Sequence, residues 1–251
     1  MRKDVPGTTC VQCAGQASVG QMFDRISRTY DLLNHLLSLG RDFSWRRKTA
    51  GQLDARREMK VLDLATGTGD MLICLLRHRP NITQATGLDI SENMLSVCRD
   101  KLRKRSLLQR VDLLCADASK TPFPDETFDA ATMAFGIRNT VDASATLREI
   151  HRILKPGGVA LILEFSLPAC PVTRWFYLRY LRLVVPLVGS LVSGDRHAYR
   201  YLNESIESFQ QPAEFCSLMK EAGFRDVSVI PLTLGVASIY QGVKGRISGA
   251  V

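Results

Sequence analysis

From Lys60 onward the chain alternates short apolar runs with longer amphipathic stretches, and that alternation leaves few architectures open. Strands separated by helical crossovers pair in parallel, and a parallel sheet must be covered on both faces. The apolar runs place strands at Val61–Ala65, Ala85–Asp89, Val111–Cys115, Ala130–Ala134, Val159–Glu164, Val227–Ile230 and Ala237–Val243. Helices fit between them at Asp70–Arg77, at Glu92–Arg105 behind a Ser91 N-cap, and at Ala143–Leu154 before the stop Lys155-Pro156-Gly157-Gly158, which should turn the chain back into a strand. The expected fold is α/β: a Rossmann-like, doubly wound, seven-stranded and mostly parallel sheet with helices on both faces. A single domain over residues 22–245 is expected, with a flexible segment 1–21 before it and a tail 246–251 after it. Residues 22–58 and a helical insertion at 168–222, rich in aromatics and arginines, should form a cover over the substrate site.

The segment Val61-Leu62-Asp63-Leu64-Ala65-Thr66-Gly67-Thr68-Gly69-Asp70 is an apolar strand running into a small-residue turn that opens a helix. Such a turn lets backbone N–H groups approach a ligand at the carboxyl edge of the sheet. Asp89 ends the next strand, where a carboxylate can accept hydrogen bonds from ribose hydroxyls. A dinucleotide site usually has a third glycine three positions after the second, and Leu72 stands there. Asp70, at the opening of the helix, would repel a pyrophosphate and suit the ammonium of a methionine moiety. The charge pattern therefore favours S-adenosylmethionine over NAD, with Asp63, Gly67 and Gly69 of the loop among the residues expected to bind it. Asp117-Ala118, just past the third strand, is placed to meet the adenine; the less favoured alternative is that Asp63 and Asp117 only cap turns.

A chain of 251 residues, 45% hydrophobic, can bury one substantial core. The net charge of +8 points to an anionic partner: nucleic acid, an acidic membrane surface or a charged small molecule. Seven cysteines, an odd number behind a start that lacks the apolar core of a signal peptide, read as reduced thiols of a cytoplasmic protein. Cys10 and Cys13 form a C-x-x-C pair with no second pair at ligand spacing, so no metal is expected. The apolar stretch Leu181–Val192 is too short to cross a bilayer and is interrupted by Arg182, Pro186 and Gly189.

The cofactor loop resembles motif I of class I S-adenosylmethionine-dependent methyltransferases, and other segments resemble one branch of them, the ubiquinone/menaquinone biosynthesis C-methyltransferases. Tyr30-Asp31-Leu32-Leu33-Asn34-His35-Leu36-Leu37-Ser38 followed by Trp45 looks like that family's N-terminal signature. Arg152-Ile153-Leu154-Lys155-Pro156-Gly157-Gly158, with Glu164 and Ser166, looks like its second. Phe135-Gly136-Ile137-Arg138-Asn139 and Tyr199-Arg200-Tyr201-Leu202 with Ser205-Ile206 are similar to further family segments, so that the likeness runs from about Met22 to Gly245. Three residues depart from the pattern: Leu33 stands where Met is usual, Asp42 where His is, and Ala134 where a Ser often contacts the cofactor.

The resemblance implies that Thr68, Asp89, Asp117 and Ala118 bind S-adenosylmethionine and that the product is a C-methylated polyprenyl quinol. The acceptor would be demethylmenaquinol, a 2-methoxy-6-polyprenyl-1,4-benzoquinol on the way to ubiquinone, or both. An aromatic carbon is a poor nucleophile until a neighbouring hydroxyl loses its proton, so a cation beside the fourth strand would serve the reaction. Arg138 is the first candidate for that catalytic role, against the alternative that it pairs with Asp142 or Glu149. Tyr30, Asn139, Tyr199 and His197 are weaker candidates for substrate contacts. Along Arg174–Arg182 the three arginines fall within one arc of a helix, leaving an aromatic and aliphatic face for a prenyl tail, for transient contact with the inner face of the cytoplasmic membrane, or for packing on the domain itself. A homodimer or a quinone-biosynthesis complex would fit the family.

Two competing readings use the same features. A nucleic-acid methyltransferase would explain the positive charge, but the Asn/Asp-Pro-Pro-aromatic loop and the Pro-Cys nucleophile of such enzymes do not occur, so no nucleic-acid partner is expected. A non-catalytic member of a quinone-biosynthesis complex would be expected to have lost Asp89 or the loop glycines, and all are present.

Overall fold

The computed structural model describes residues 34, 35, 37–187 and 196–246, with the side chains of 196–200 outside that description. In chain order the elements are α1 (Asp42–Gly51), β1 (Met59–Leu64), α2 (Asp70–His78), β2 (Ile82–Asp89), α3 (Glu92–Lys104), β3 (Val111–Cys115), β4 (Phe128–Ala134), α4 (Ala143–Ile153), β5 (Leu154–Phe165), α5 (Pro171–Arg179), α6 (Arg196–Ser208), α7 (Pro212–Glu221), β6 (Phe224–Leu232) and β7 (Ala237–Lys244). A π-helical turn, Tyr180–Val184, continues α5.

The strands form one seven-stranded sheet in the order β3-β2-β1-β4-β5-β7-β6. β1 to β5 pair in parallel through their helical crossovers, whereas β7 is antiparallel to both β5 and β6. The reason is local: only the 3₁₀ turn Thr233–Gly235 joins β6 to β7, which is enough for a hairpin and too short for a crossover. β7 thus inserts between β5 and β6. The outermost strand, β6, is largely exposed and carries Pro231, a residue sheets tolerate at their edges.

Both faces of the sheet are buried, which is why its central strands read as unbroken apolar runs. Val61 of β1 joins a cluster with Trp45, Leu72, Leu75, Phe135 and Phe165, while its neighbours Leu62 and Leu64 pack on the opposite face with Phe128, Met133, Ile150, Phe215 and Tyr240. Ser91 caps α3 as expected, accepting from the Met94 N–H at 3.1 Å, and Asp142 caps α4 through the Ala145 N–H at 3.0 Å.

One boundary expectation is corrected. Lys155-Pro156-Gly157-Gly158 does not form a stop ahead of a strand, because β5 begins at Leu154, which pairs with Phe128. The register then jumps to Ala130 opposite Val159, so the four residues form a bulge inside the strand, with Gly157 at φ +79°. Gly158 is equally constrained, since a Cβ there would lie 2.8 Å from the Lys155 carbonyl oxygen and 3.1 Å from that of Asp129.

Candidate functional site

In an open α/β sheet, ligands bind beyond the carboxyl ends of the strands where the strand order reverses, here between β1 and β4. The chain leaves both strands in the same unusual way: Ala65 follows β1 at φ +47° and Phe135 follows β4 at φ +59°. Left-handed backbone at non-glycine residues costs free energy and concentrates at ligand sites. Between these two turns Gly136 has no room for a side chain, because its Cβ would lie 2.7 Å from the Cβ of Ala65.

Two clefts open at this point and share Ala65 and Gly67. The larger, about 770 Å³ of space open to solvent, is bounded by Leu88 and Asp89 from β2, by Asp117 and Ala118 past β3, and by Phe135 and Asn139 past β4. The smaller, about 290 Å³, lies on the other side of the glycine loop among Arg46, Asp63, Thr68, Asp70 and Ala134. The loop therefore separates a roomier, mostly apolar compartment from a compact, charged one.

Asp89 does more than face the larger cleft. One carboxylate oxygen accepts from the Gly67 N–H at 2.8 Å and the other from the Ser91 N–H at 2.9 Å, so it clamps the glycine loop to the start of α3. Asp117 borders the cleft, and its carboxylate accepts from the N–H of Ser119 at 2.8 Å and from its hydroxyl at 2.9 Å, as a turn-capping Asp does. Gly69 caps α2 at φ +85°, with Cys98 so close that an added Cβ would meet its sulfur at 2.4 Å. Leu72 is fully buried where dinucleotide folds place a glycine. The close approach of helix to strand is made from the strand side instead, by Gly87, whose Cβ would lie 2.6 Å from the Leu72 side chain.

In the smaller cleft, Asp63 is fully enclosed and accepts from Thr66 Oγ1 at 2.6 Å and from Thr132 Oγ1 at 2.5 Å. Burial, only partly offset by these bonds and by the Arg46 cation, raises its pKa to about 6. Thr68 is buried and accepts from Lys101 Nζ at 3.1 Å, and the same ammonium is ion-paired with Asp70. The expectation that Asp70 awaits a ligand ammonium is thereby revised, because Lys101 already matches its charge.

Arg46 escaped the reading of the sequence. On α1 it is 6% exposed, ion-pairs with the fully buried Asp42, and sits 5.1 Å from the centre of the Phe135 ring. Its Nε has no hydrogen-bond partner. Asp42, the departure from the family pattern, also accepts from His35 Nδ1 at 3.0 Å and Ser38 Oγ at 2.9 Å. Trp45 fastens α1 over the site, donating from Nε1 to Thr233 Oγ1 at 2.9 Å and packing edge-on against Phe165.

Arg138 lies in the 3₁₀ turn Ile137–Asn139 past β4, with a side chain only 1% exposed. Its partner is neither Asp142, which caps α4, nor Glu149, which binds Arg152 and Thr121. It is Glu164 at the end of β5, whose pKa is raised by burial and pulled back by the guanidinium. Arg138 Nη1 also donates to the Phe135 carbonyl at 2.9 Å, its Nε reaches Ser205 Oγ at 3.4 Å, and the group lies 5.3 Å from the Phe165 ring. Phe135 and Phe165, 4.6 Å apart between ring centres, thus separate the two arginines. Asn139 borders the larger cleft and accepts from the Tyr201 hydroxyl at 3.3 Å. Tyr30 lies outside the described residues, and His197 and Tyr199 fall in α6 where only the backbone is described.

Solved structures share this architecture. The [4+2]-cyclase SpnF aligns with a TM-score of 0.65 at 19% identity, covering 98% of this chain and 100% of that one. An S-adenosylmethionine-dependent methyltransferase from Aquifex aeolicus aligns at 0.59 and 20% identity, covering 91% and 98%. Among curated sequences, the ubiquinone/menaquinone biosynthesis C-methyltransferase UbiE of Geobacter sulfurreducens is 43% identical over 90% of this chain and 88% of its own length. The demethylmenaquinone methyltransferases of Porphyromonas gingivalis and Thermus thermophilus are 40% and 43% identical, over 93% and 88% of this chain and 95% and 99% of their own. The model of the ubiE/COQ5 methyltransferase family matches residues 11–244. With that match over most of its length, the chain belongs to the ubiE/COQ5 methyltransferase family.

Proposed function

We propose that the protein transfers the methyl group of S-adenosylmethionine to a ring carbon of a polyprenyl quinol, with demethylmenaquinol the first acceptor to test and a 2-methoxy-6-polyprenyl-1,4-benzoquinol the second. The observation that carries this reading is the pair of adjoining clefts, one apolar and one charged, on either side of a glycine loop clamped by Asp89. The residues fit the methyl donor. The larger cleft takes the adenosine, with Asp89 toward the ribose and Asp117-Ala118 toward the adenine. The smaller cleft takes the methionine end, with the Asp63 carboxylate and Thr68 near the ammonium and the unmatched Nε of Arg46 toward the carboxylate. Gly67 and Gly69 keep the loop backbone within reach of both.

When bound, S-adenosylmethionine supplies an electrophilic methyl whose departure leaves a neutral thioether, so no residue need protonate the leaving group. The chain's task is to orient the acceptor and to favour its phenolate. Holding a ring carbon in line can supply an effective molarity of roughly 10⁵ M or more. Arg138 stabilises the developing phenolate as a fixed cation, while the hydroxyl proton leaves to water, since a guanidinium is a poor proton acceptor. Asn139 and Tyr201 border the same end of the sheet and orient the ring, with Tyr30, Tyr199 and His197 as further contacts. Residues 22–58 and 168–222 act as the cover.

The outer face of that cover contacts an anionic membrane surface from which a prenylated substrate is drawn. Val172, Trp175, Phe176, Leu183 and Leu187 are each more than half exposed and recur at three- and four-residue spacing, opposite the buried stripe Tyr177, Leu181 and Val185. Arg174, Arg179 and Arg182 lie on the same segment, and no acidic residue occurs between Glu164 and Asp195. Among the described residues no helix is long and apolar enough to cross a membrane.

The test is to incubate the protein with S-adenosylmethionine and a short-chain demethylmenaquinone, with and without a reductant, and to follow the product by mass spectrometry. A product one methyl heavier, formed only under reduction, is expected. Absence of product in both states, with this acceptor and then with a short-chain 2-methoxy-6-polyprenyl-1,4-benzoquinone, despite measured cofactor binding, would refute the reading.

A further inference from the structure

Two buried side-chain donors, on Tyr177 and Arg138, are left unmatched. Tyr177, on the inner face of α5, is 8% exposed, and its hydroxyl has no hydrogen-bond partner. Arg138, 1% exposed, satisfies Nη1 and Nε within the protein and leaves Nη2 without one. The two side chains share one electrostatic neighbourhood, since the Tyr177 phenol feels both the Arg138 cation and the Glu164 carboxylate. Burial holds the phenol above its usual pKa, so the hydroxyl keeps its proton and is a donor.

Packing does not account for this hydroxyl. Tyr177 belongs to a buried apolar cluster, where phenylalanine would fill nearly the same volume without a stranded polar atom. A buried donor with no partner is disfavoured relative to the apolar side chain of the same shape. Two such donors from separate elements, one on the turn after β4 and one on the covering helix, mark a place where a ligand oxygen completes the bonding. That ligand is aromatic in character, given the Phe165 ring 5.3 Å from the Arg138 guanidinium and the Trp45 and Phe135 rings packed on it.

We propose that Tyr177 is an acceptor-binding residue whose hydroxyl donates to a ring oxygen of the quinol, beside the Arg138 Nη2 that faces the same oxygen as it ionises. This rests on the quinol C-methylation reading above. The bond is stronger to the phenolate than to the neutral hydroxyl, so Tyr177 acts on turnover more than on capture of the ground state. It also explains why the covering helix carries a tyrosine at a position that its buried stripe would fill with a purely apolar residue.

The experiment is the Tyr177→Phe variant of the full chain, assayed with S-adenosylmethionine and reduced short-chain demethylmenaquinone over a range of pH, alongside a thermal melt and calorimetric titration of the cofactor. The expected result is a kcat lowered about tenfold or more, with the rising limb of the pH–rate profile moved to higher pH. The cofactor Kd should be unchanged and the melting temperature unchanged or raised. Full activity with a raised melting temperature would overturn the proposal, since the hydroxyl would then be a packing defect. Lost activity with a lowered melting temperature would overturn it too, placing the hydroxyl in the fold. Wild-type protein that binds the cofactor but never methylates the quinol would instead refute the underlying reading, and is told apart by needing no variant.

Discussion

Asp63 carries a penalty that can be measured. Its carboxyl is enclosed at the end of β1 with a pKa of about 6 against an ordinary 3.8, so the folded protein binds this proton more tightly than the unfolded chain does. By linkage, stability then falls as pH rises from about 4 to about 6 and levels off above. A shift of that size corresponds to about 3 kcal/mol at neutral pH. The Asp63→Asn variant removes the ionisation and keeps one acceptor for Thr66 or Thr132, at a cost of about 1 kcal/mol for rearranging the other hydroxyl. The cofactor-free variant should therefore be about 2 kcal/mol more stable than the parent at pH 8, a rise of roughly 4–8 °C in Tm. Because part of the proton is already lost only from the unfolded chain at pH 5, the advantage should shrink there by about 1.4 kcal/mol. Melts of the two proteins at both pH values check the size and its direction. The same variant should bind S-adenosylmethionine roughly ten- to a hundredfold more weakly, having lost the charge that meets the ammonium. A variant no more stable than the parent at pH 8, or an advantage that grows toward pH 5, would refute the reasoning.

Three further outcomes follow from the packing and the ion pairs. Gly69→Ala places a Cβ 2.4 Å from the Cys98 sulfur at φ +85°, and should destabilise by about 3 kcal/mol or more; combining it with Cys98→Ala should recover part of that loss, and strictly additive costs in denaturant titrations would contradict the clash. Glu164→Gln leaves the Arg138 cation buried without its carboxylate and should cost about 3–5 kcal/mol in chemical denaturation, whereas a cost below about 1 kcal/mol would mean that water reaches the pair. Replacing Trp175 and Phe176 by Ser should leave the melting temperature within a few degrees and abolish co-sedimentation with vesicles rich in anionic lipid; undiminished sedimentation would remove the membrane role of the α5 face.

Much of the architecture was legible because it rests on local rules. A strand buried on both faces must be apolar throughout, and a helix that covers it must be amphipathic, so alternating patterns place β1 to β5 and α2 to α4 to within a few residues. Ser91 caps α3 by a bond to a residue three positions away, and such bonds are written in neighbouring letters. The glycine loop is likewise local, since its conformation depends on residues that tolerate positive φ within a single turn.

Contacts between distant residues were decided by the fold alone. Arg46 lies on α1, whose sequence DFSWRRKTAG shows no apolar stripe, and it becomes a buried cation beside the glycine loop only because Trp45 reaches Thr233 and Asp42 neutralises it. The partner of Arg138 is Glu164, from the end of the adjacent strand, because β4 and β5 pair in parallel and bring both carboxyl ends to one edge. Leu72 could occupy a glycine's usual place because Gly87 supplies the space from the neighbouring strand. By itself the sequence determined the elements, the loop and the family, through patterns whose physics spans a few residues. The tertiary structure alone decided which charges meet, because burial and pairing energies depend on neighbours that the chain order keeps far apart.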